Sequence, residues 1–224
     1  MMSEIPIIDD KPLLFRNYVQ DANLLATWTD VEFCINNPWQ YNLSVIHKTT
    51  GQRIPINVQP AFWFGKDIPD KRAILDKVKL GHTLVIENFS VHSVGTHNLA
   101  KRIEDLFSVN CDMHVYCSLD KSSSFGIHCD QPPNFILQVE GETAWKVFDK
   151  TLKGQYNSNT ITEQEAGEAV IDTILRPGDM LYIPKRMYHQ ATPFEKRISI
   201  SIPCPPVDET TKPIDRRQLK LNES

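Results

Sequence analysis

Residues 114–148 read HVYCSLDKSSSFGIHCDQPPNFILQVEGETAWKVF, and this stretch decides the fold class. Short runs rich in β-branched and aromatic residues alternate here with turn-forming residues, which is typical of an all-β domain. Gly141 and Glu142 between two of these runs indicate a hairpin turn. The strands predicted in this stretch and after it are His114–Leu119, Phe125–Asp130, Asn134–Val139, Thr143–Asp149, Ala169–Leu175, Met180–Pro184 and Arg197–Pro203.

The same stretch contains a candidate pair of metal ligands, His128 and Asp130. Residues two apart in a strand point to the same side, so both side chains would face one way and Cys129 the other. A second imidazole, His189, follows the predicted strand Met180–Pro184. Two imidazoles and one carboxylate hold Fe(II) on one face and leave the opposite positions open for a co-substrate and oxygen. We therefore predict that His128, Asp130 and His189 meet at one catalytic metal ion.

The first half of the chain has a different pattern. Helical periodicity appears at Asp70–Leu80 and His97–Phe107, and Thr83–Phe89 is a candidate strand between them. Asp70 suits an N-cap, and Gly81 suits the left-handed residue after a helix. Helices come first and strands follow, so an alternating, doubly wound sheet is disfavoured. The sequence predicts an all-β core with α additions.

Composition limits the partners and the compartment. The net charge of −4 over 224 residues gives no basic stripe for nucleic acid. No apolar run is long enough for a membrane span, and the N-terminus lacks the features of a signal peptide. The five cysteines are odd in number and show no CxxC spacing, so we expect free thiols and a cytoplasmic location. They are Cys34, Cys111, Cys117, Cys129 and Cys204.

Residues 114–148, with LRPGDMLYIPKRMYH (175–189) and RISISIP (197–203), resemble the JmjC-type cupin oxygenases. The likeness is greatest to the branch of the ribosomal oxygenases, and LGHTLVIENFSVHSVGTHNLAKRIEDLF (80–107) is similar to the segment that precedes the barrel in that branch. The resemblance covers roughly residues 70–204. It implies a double-stranded β-helix (a cupin or jelly-roll barrel) at 109–204, preceded by an α/β region at 1–108 that packs on it. A polar tail, 205–224, would follow, with at most a short helix near Ile214–Leu221.

The resemblance also implies Fe(II) as cofactor and 2-oxoglutarate as co-substrate. His128, Asp130 and His189 occupy the ligand positions. Tyr116 matches a tyrosine that helps to hold 2-oxoglutarate, and Asn134 matches an asparagine near the co-substrate. Members of the family are expected to oxidise 2-oxoglutarate to succinate while they hydroxylate a substrate.

One position departs from the family pattern. The cation that usually pairs with the distal carboxylate of 2-oxoglutarate is replaced here by Thr143. A buried dicarboxylate needs a cation or several donors. Lys146 would point out of the barrel, because Thr143 and Trp145 are two residues apart and share the inner face of the strand. Arg197, in the pattern R-x-S at the start of a strand, is the better replacement. The predicted co-substrate site is therefore Tyr116, Asn134, Thr143 and Arg197.

The predicted function is an oxygenase that hydroxylates a peptide, protein or amino-acid side chain, with a small metabolite as a further candidate substrate. The ribosomal oxygenases carry an additional C-terminal module, which we expect this chain to lack. A homodimer is compatible with the sequence. Two other hypotheses stay open at this point. One is a cupin metalloenzyme that does not use 2-oxoglutarate, which the departure at Thr143 favours. The other is a non-catalytic ligand-binding barrel.

Overall fold

Two antiparallel sheets, a separate two-stranded ribbon and four α-helices make up the regular structure of the described residues. The computed structural model describes residues 10–61, 66–121, 125–157 and 159–206; most of the tail, with the helix predicted near Ile214–Leu221, lies outside these ranges. The strands are β1 (Leu13–Phe15), β2 (Asn42–Ile46), β3 (Arg53–Ile54), β4 (Val58–Ala61), β5 (Lys66–Pro69), β6 (Thr83–Glu87), β7 (His114–Ser118), β8 (Asn134–Glu140), β9 (Thr143–Thr151), β10 (Ala169–Leu175), β11 (Met180–Ile183), β12 (Met187–Pro193) and β13 (Arg197–Pro203). The helices are α1 (Trp28–Asn36), α2 (Lys71–Lys79), α3 (Val94–Phe107) and α4 (Glu163–Ala166). Two 3-10 turns lie at Ala22–Leu24 and Phe89–Val91.

The larger sheet has the strand order β1-β11-β8-β13-β7-β6-β2-β3, and the smaller one has the order β10-β9-β12. Isolated bridges extend the smaller sheet, because His128 pairs with His189 and Ile127 pairs with Ile161. β4 and β5 form a separate ribbon. A cavity lined by residues of both sheets lies between them. This jelly-roll arrangement confirms the predicted fold class, an all-β core with α additions.

Alternation along β13 explains how one sheet serves two purposes. Ile198, Ile200 and Ile202 are fully buried in the main hydrophobic core, on the side where Leu99 and Ile103 of α3 pack. The alternate residues of β13, starting with Arg197, line the cavity instead. Side chains two apart in a strand share a face, so the larger sheet is apolar toward the helices and polar toward the cavity.

The N-terminal region contributes directly to the larger sheet. β6 pairs with β7, β2 with β6, and β1 with β11 at the opposite edge. Strands from both sides of residue 108 therefore share one sheet, and the predicted division at 1–108, 109–204 and 205–224 stays a prediction. None of the helices in the described ranges is both long and apolar enough to cross a bilayer.

Most predicted elements lie within two or three residues of the observed ones. Asp70 caps α2, since its carboxylate accepts from the backbone N–H of Arg72 and Ala73. Two expectations need correction. The strand predicted at Phe125–Asp130 is reduced to the bridges at Ile127 and His128. His189 does not lie beyond a strand but in the middle of β12, which the sequence did not predict.

Gly141 in the β8–β9 turn gives a stability prediction. It adopts φ +73°, and an added Cβ would overlap the backbone carbonyl oxygen of Lys196. Gly154 has nearly the same φ, +78°, but no described atom lies within 4 Å of an added Cβ. Left-handed backbone costs roughly 1–2 kcal/mol at either position, and overlap adds about 1–3 kcal/mol at Gly141. Urea denaturation should therefore show Gly141→Ala to be clearly less stable than Gly154→Ala. Equal losses would contradict this account of the turn.

Candidate metal centre and its cavity

Strand pairing brings the three predicted metal ligands together. His128 N–H donates to the carbonyl oxygen of His189 at 3.1 Å, and His189 N–H donates to that of His128 at 2.8 Å. Asp130 follows two residues later, and its carbonyl oxygen accepts from Arg186 N–H at 2.7 Å. The backbone thus holds residues that are distant in sequence side by side.

The ligand atoms converge on one point. One donor atom from each of His128, Asp130 and His189 lies within 4.8 Å of the other two. His189 Nε2 is 3.6 Å from Asp130 Oδ2, and His128 Nε2 is 4.0 Å from Asp130 Oδ1. Ligands that each stand about 2 Å from one ion are about 3–4 Å apart, so this donor set fits a single divalent ion.

Backbone contacts fix the orientation of both imidazoles. The Nδ1 atoms of His128 and His189 each lie 2.9 Å from a carbonyl oxygen, those of Gly126 and Met187. A carbonyl only accepts, so Nδ1 carries the proton and Nε2 presents its lone pair toward Asp130. Burial, and next the nearby His128, lower the pKa of His189. Its imidazole is therefore neutral and able to bind a metal at neutral pH.

Asn134 supports the carboxylate ligand. Its Nδ2 donates to Asp130 Oδ2 at 3.2 Å and to Ser201 Oγ at 2.8 Å, and the side chain is buried. The sequence places Asn134 near the co-substrate; in the structure it lines the cavity and also orients a metal ligand.

Replacing Asn134 by alanine should therefore lower metal affinity without removing a ligand. Loss of a group that orients a ligand typically costs about 10- to 100-fold in affinity. Anaerobic Fe(II) titration is the measurement. Gln131→Ala is a matched control, because Gln131 contacts Arg186 at the surface rather than Asp130. Identical affinities for the two variants would show that Asn134 does not position the carboxylate.

The metal ligands open into a cavity of about 820 Å³. Its wall on the larger sheet includes Tyr116, Asn134 and Arg197, and its wall on the smaller sheet includes Trp145 and Ala191. Three of the four predicted co-substrate residues thus share one cavity with the metal ligands.

Arg197 brings a positive charge into this cavity. Only 2% of its surface is exposed. Nη1 donates to Ser199 Oγ at 3.1 Å, and Ser199 Oγ donates to Gln138 Oε1 at 2.9 Å. Gln138 Nε2 in turn donates to the carbonyl oxygens of Glu140 and Gly141. Burial lowers the pKa of Arg197 to about 10, so the guanidinium remains charged at neutral pH.

Tyr116 and Trp145 add hydrogen-bond donors to the same cavity. Burial raises the pKa of Tyr116, and the charge of Asp130 raises it further, so the hydroxyl keeps its proton. The buried Trp145 Nε1 has no hydrogen-bond partner among the described residues. A cation and neutral donors are what a buried carboxylate requires, so the cavity fits a small dicarboxylate.

The structure does not bring Thr143 to this site. It is fully buried but is absent from the cavity wall, which β9 reaches through Trp145. Thr143 lies at the end of the hairpin, where Leu175 and Pro193 pair with it on either side. Lys146 points to the surface and forms an ion pair of 2.7 Å with Glu163, as its parity predicts.

Sequence reasoning missed two other parts of the wall. Ser44, Arg53 and Glu87 come from the N-terminal strands, and an ion pair of 2.8 Å joins Arg53 to Glu87. Tyr156 and Thr160 come from the segment between β9 and α4. An apolar run marks β6 as a strand, but no local pattern shows that β6 continues the barrel sheet.

Comparisons with known proteins agree with this geometry. Residues 89–209 match the JmjC domain family. A protein of Drosophila persimilis named bifunctional lysine-specific demethylase and histidyl-hydroxylase NO66 is 28% identical over 177 residues, which are 76% of this chain and 24% of the relative. The protein of the same name from Drosophila pseudoobscura pseudoobscura is 31% identical over 177 residues, 76% of this chain and 18% of the relative. The chain thus spans about a quarter of these curated relatives or less.

Among solved structures, YcfD, a ribosomal oxygenase from Escherichia coli in complex with cobalt and 2-oxoglutarate, has a similar fold. The TM-score is 0.60 at 18% identity, over 89% of this chain and 49% of that one. The structural likeness shows the shared fold, and the family match extends over more than half of the sequence, including all three metal ligands. The resemblance in the sequence is confirmed: the chain belongs to the JmjC domain family.

Proposed function

We propose that this protein is an Fe(II)- and 2-oxoglutarate-dependent oxygenase that hydroxylates a side chain of a peptide or protein. The observation that carries the proposal is the convergence of His128, Asp130 and His189 in a cavity that also contains the buried cation of Arg197. The comparisons support it, because the NO66 proteins are named for chemistry on lysine and histidine side chains and YcfD was crystallised with cobalt and 2-oxoglutarate.

Each residue has a separate role in this proposal. His128, Asp130 and His189 would bind Fe(II) through two Nε2 atoms and one carboxylate. Arg197 would pair with the distal carboxylate of 2-oxoglutarate, and Tyr116 would donate a hydrogen bond to the same co-substrate. Thr143 stays a predicted co-substrate residue: it is not in the cavity wall, but its buried Oγ1 has no hydrogen-bond partner among the described residues. When bound, Fe(II) would activate molecular oxygen, which is the oxidant, and 2-oxoglutarate would supply two electrons as it is converted to succinate and carbon dioxide.

The protein itself provides orientation and a partly dry environment. The carbonyls of Gly126 and Met187 keep the imidazoles in the tautomer that binds metal. Ile136 and Trp145 form an apolar part of the wall, which limits water near the reacting atoms. The donors of Arg197 are fixed by Ser199 and need little reorganisation when an anion enters.

A protein substrate suits the open side of the cavity. Thr50 and Gln52 line one part of its wall, and Tyr156 and Asn159 line another. A volume of about 820 Å³ leaves room for a side chain beyond a small dicarboxylate. The cytoplasmic location and the homodimer stay predictions.

One assay separates this proposal from the two other hypotheses. The protein is purified anaerobically and supplied with Fe(II), 2-oxoglutarate and then oxygen, and succinate is measured with and without peptide libraries. Succinate formation that disappears in His128→Ala supports the oxygenase. Tight metal binding without any succinate would favour a cupin enzyme of another type. A chain that binds no metal would favour the non-catalytic barrel.

A further inference from the structure

Two cysteines face each other where the ladder between β7 and β13 continues past the strands. Within the ladder, Ser201 is opposite His114. Beyond it, Val109 and Pro206 form an antiparallel bridge in the same register. Cys111 lies two residues after Val109, and Cys204 lies two residues before Pro206. The two cysteines therefore occupy directly opposite positions.

The backbone hydrogen bonds show whether Cys111 and Cys204 form a hydrogen-bonded or a non-hydrogen-bonded pair of the antiparallel ladder. Asn110 N–H donates to the carbonyl oxygen of Pro205 at 3.3 Å, so these two residues form a hydrogen-bonded pair. Pairs alternate along an antiparallel ladder, which makes Cys111 and Cys204 a non-hydrogen-bonded pair with Cα atoms about 4.5 Å apart. Disulfides span Cα separations of about 4.4–6.8 Å, so a bond between them needs little backbone movement.

Both side chains lie on the helix-covered face of the sheet. Cys204 is buried in the main core, and Cys111 packs against that core while remaining partly exposed. Both are free thiols, and each donates to a carbonyl oxygen at 3.3 Å, Cys111 to Ala100 and Cys204 to Ile202. After burial, the largest influence that raises the pKa of Cys204 is Cys111, as expected of neighbouring thiols.

We propose that Cys111 and Cys204 form a redox-modification site that closes to an intramolecular disulfide under peroxide. Cys111, the more exposed thiol, attacks the O–O bond of hydrogen peroxide, which yields a sulfenic acid and water. The sulfur of Cys204 then attacks that of Cys111. The S–S bond forms, the S–O bond breaks, and a second water leaves with the thiol proton. Two thiols lose two electrons, and one peroxide gains them.

The environment predicts a slow reaction with a clear effect on stability. Burial, and next Glu104, raise the pKa of Cys111 to about 12, so little thiolate is present at neutral pH. The bond would join the segment before β7 to the end of β13 and enclose most of the barrel in one loop. A loop of that size should raise Tm by on the order of 10 °C. The metal ligands come from the smaller sheet and line the cavity on the other side of the larger sheet, so metal affinity should not change.

The test uses the 224-residue chain with no iron added. After prolonged incubation with hydrogen peroxide, remaining thiols are alkylated and the chain is digested without reductant for mass spectrometry. The expected result is one linked peptide pair that contains Cys111 and Cys204, has lost two hydrogens and is separated by dithiothreitol. Tm of the oxidised chain should rise, and the rise should disappear in Cys204→Ala and persist in Cys34→Ala.

Three outcomes would overturn the proposal. The first is oxidation of Cys111 to a sulfinic acid while Cys204 remains open to alkylation. The second is a linked pair that involves another cysteine. The third is a Cys111–Cys204 bond that leaves Tm unchanged. Mapping on the wild-type chain decides the first two even if Cys204→Ala fails to fold.

Discussion

His189→Ala is expected to lower the affinity for Fe(II) by more than about 100-fold and to abolish succinate formation. Loss of a group that merely orients a ligand already costs about 10- to 100-fold, and His189 supplies a ligand atom itself. Its Nε2 lies 3.6 Å from Asp130, and its side chain is almost fully buried, so no other described group can take its place without rearrangement.

Anaerobic metal titration and a coupled succinate assay measure the two effects. His97→Ala is the control, because His97 is exposed on α3 and does not line the cavity that contains the metal ligands. Circular dichroism would establish that both variants are folded. If folded His189→Ala bound Fe(II) as tightly as the wild type, the metal centre assigned to these strands would be wrong.

Arg197→Met should raise KM for 2-oxoglutarate at least about 30-fold. Removing one partner of a buried charge pair costs roughly 2–5 kcal/mol, and about 1.4 kcal/mol corresponds to a factor of ten. Methionine keeps much of the volume of the side chain but removes the charge and the donors. The affinity for Fe(II) should change little, since Arg197 is not a ligand.

The control for this prediction is Lys146→Ala on the neighbouring sheet. Lys146 is a cation whose side chain is exposed and pairs with Glu163, so its loss should leave KM nearly unchanged. The rate of succinate formation over a range of 2-oxoglutarate concentrations gives KM for each of the two variants. Small and equal effects of the two substitutions would remove Arg197 from the co-substrate site.

Local patterns were sufficient to predict most strands of the second half of the chain and the grouping of His128, Asp130 and His189. Short runs of β-branched and aromatic residues between turns identified β8, β9 and β13, and the spacing of His128 and Asp130 placed both side chains on one side. The same parity argument correctly put Lys146 outside and Trp145 inside. These features depend only on neighbours in sequence, which is why they could be predicted.

The failures share a different cause. β12 reads MYHQATP, in which apolar and polar residues follow no regular pattern. It is a strand because it pairs with β9. Thr143 has the parity of a cavity residue, but β9 reaches the cavity wall through Trp145, and Thr143 pairs with Leu175 and Pro193 at the end of the hairpin. The N-terminal wall with Arg53 and Glu87 depends on β6 joining β7, a contact between distant strands.

The two reciprocal hydrogen bonds between His128 and His189 have a consequence for how the centre could be lost. Successive side chains of a strand point to opposite faces, so a slip of one residue in this pairing would aim an imidazole away from Asp130. All three ligand residues would still be present, but their donor atoms would no longer converge on one point. Catalytic competence thus depends on the alignment of these strands as much as on the identity of three amino acids.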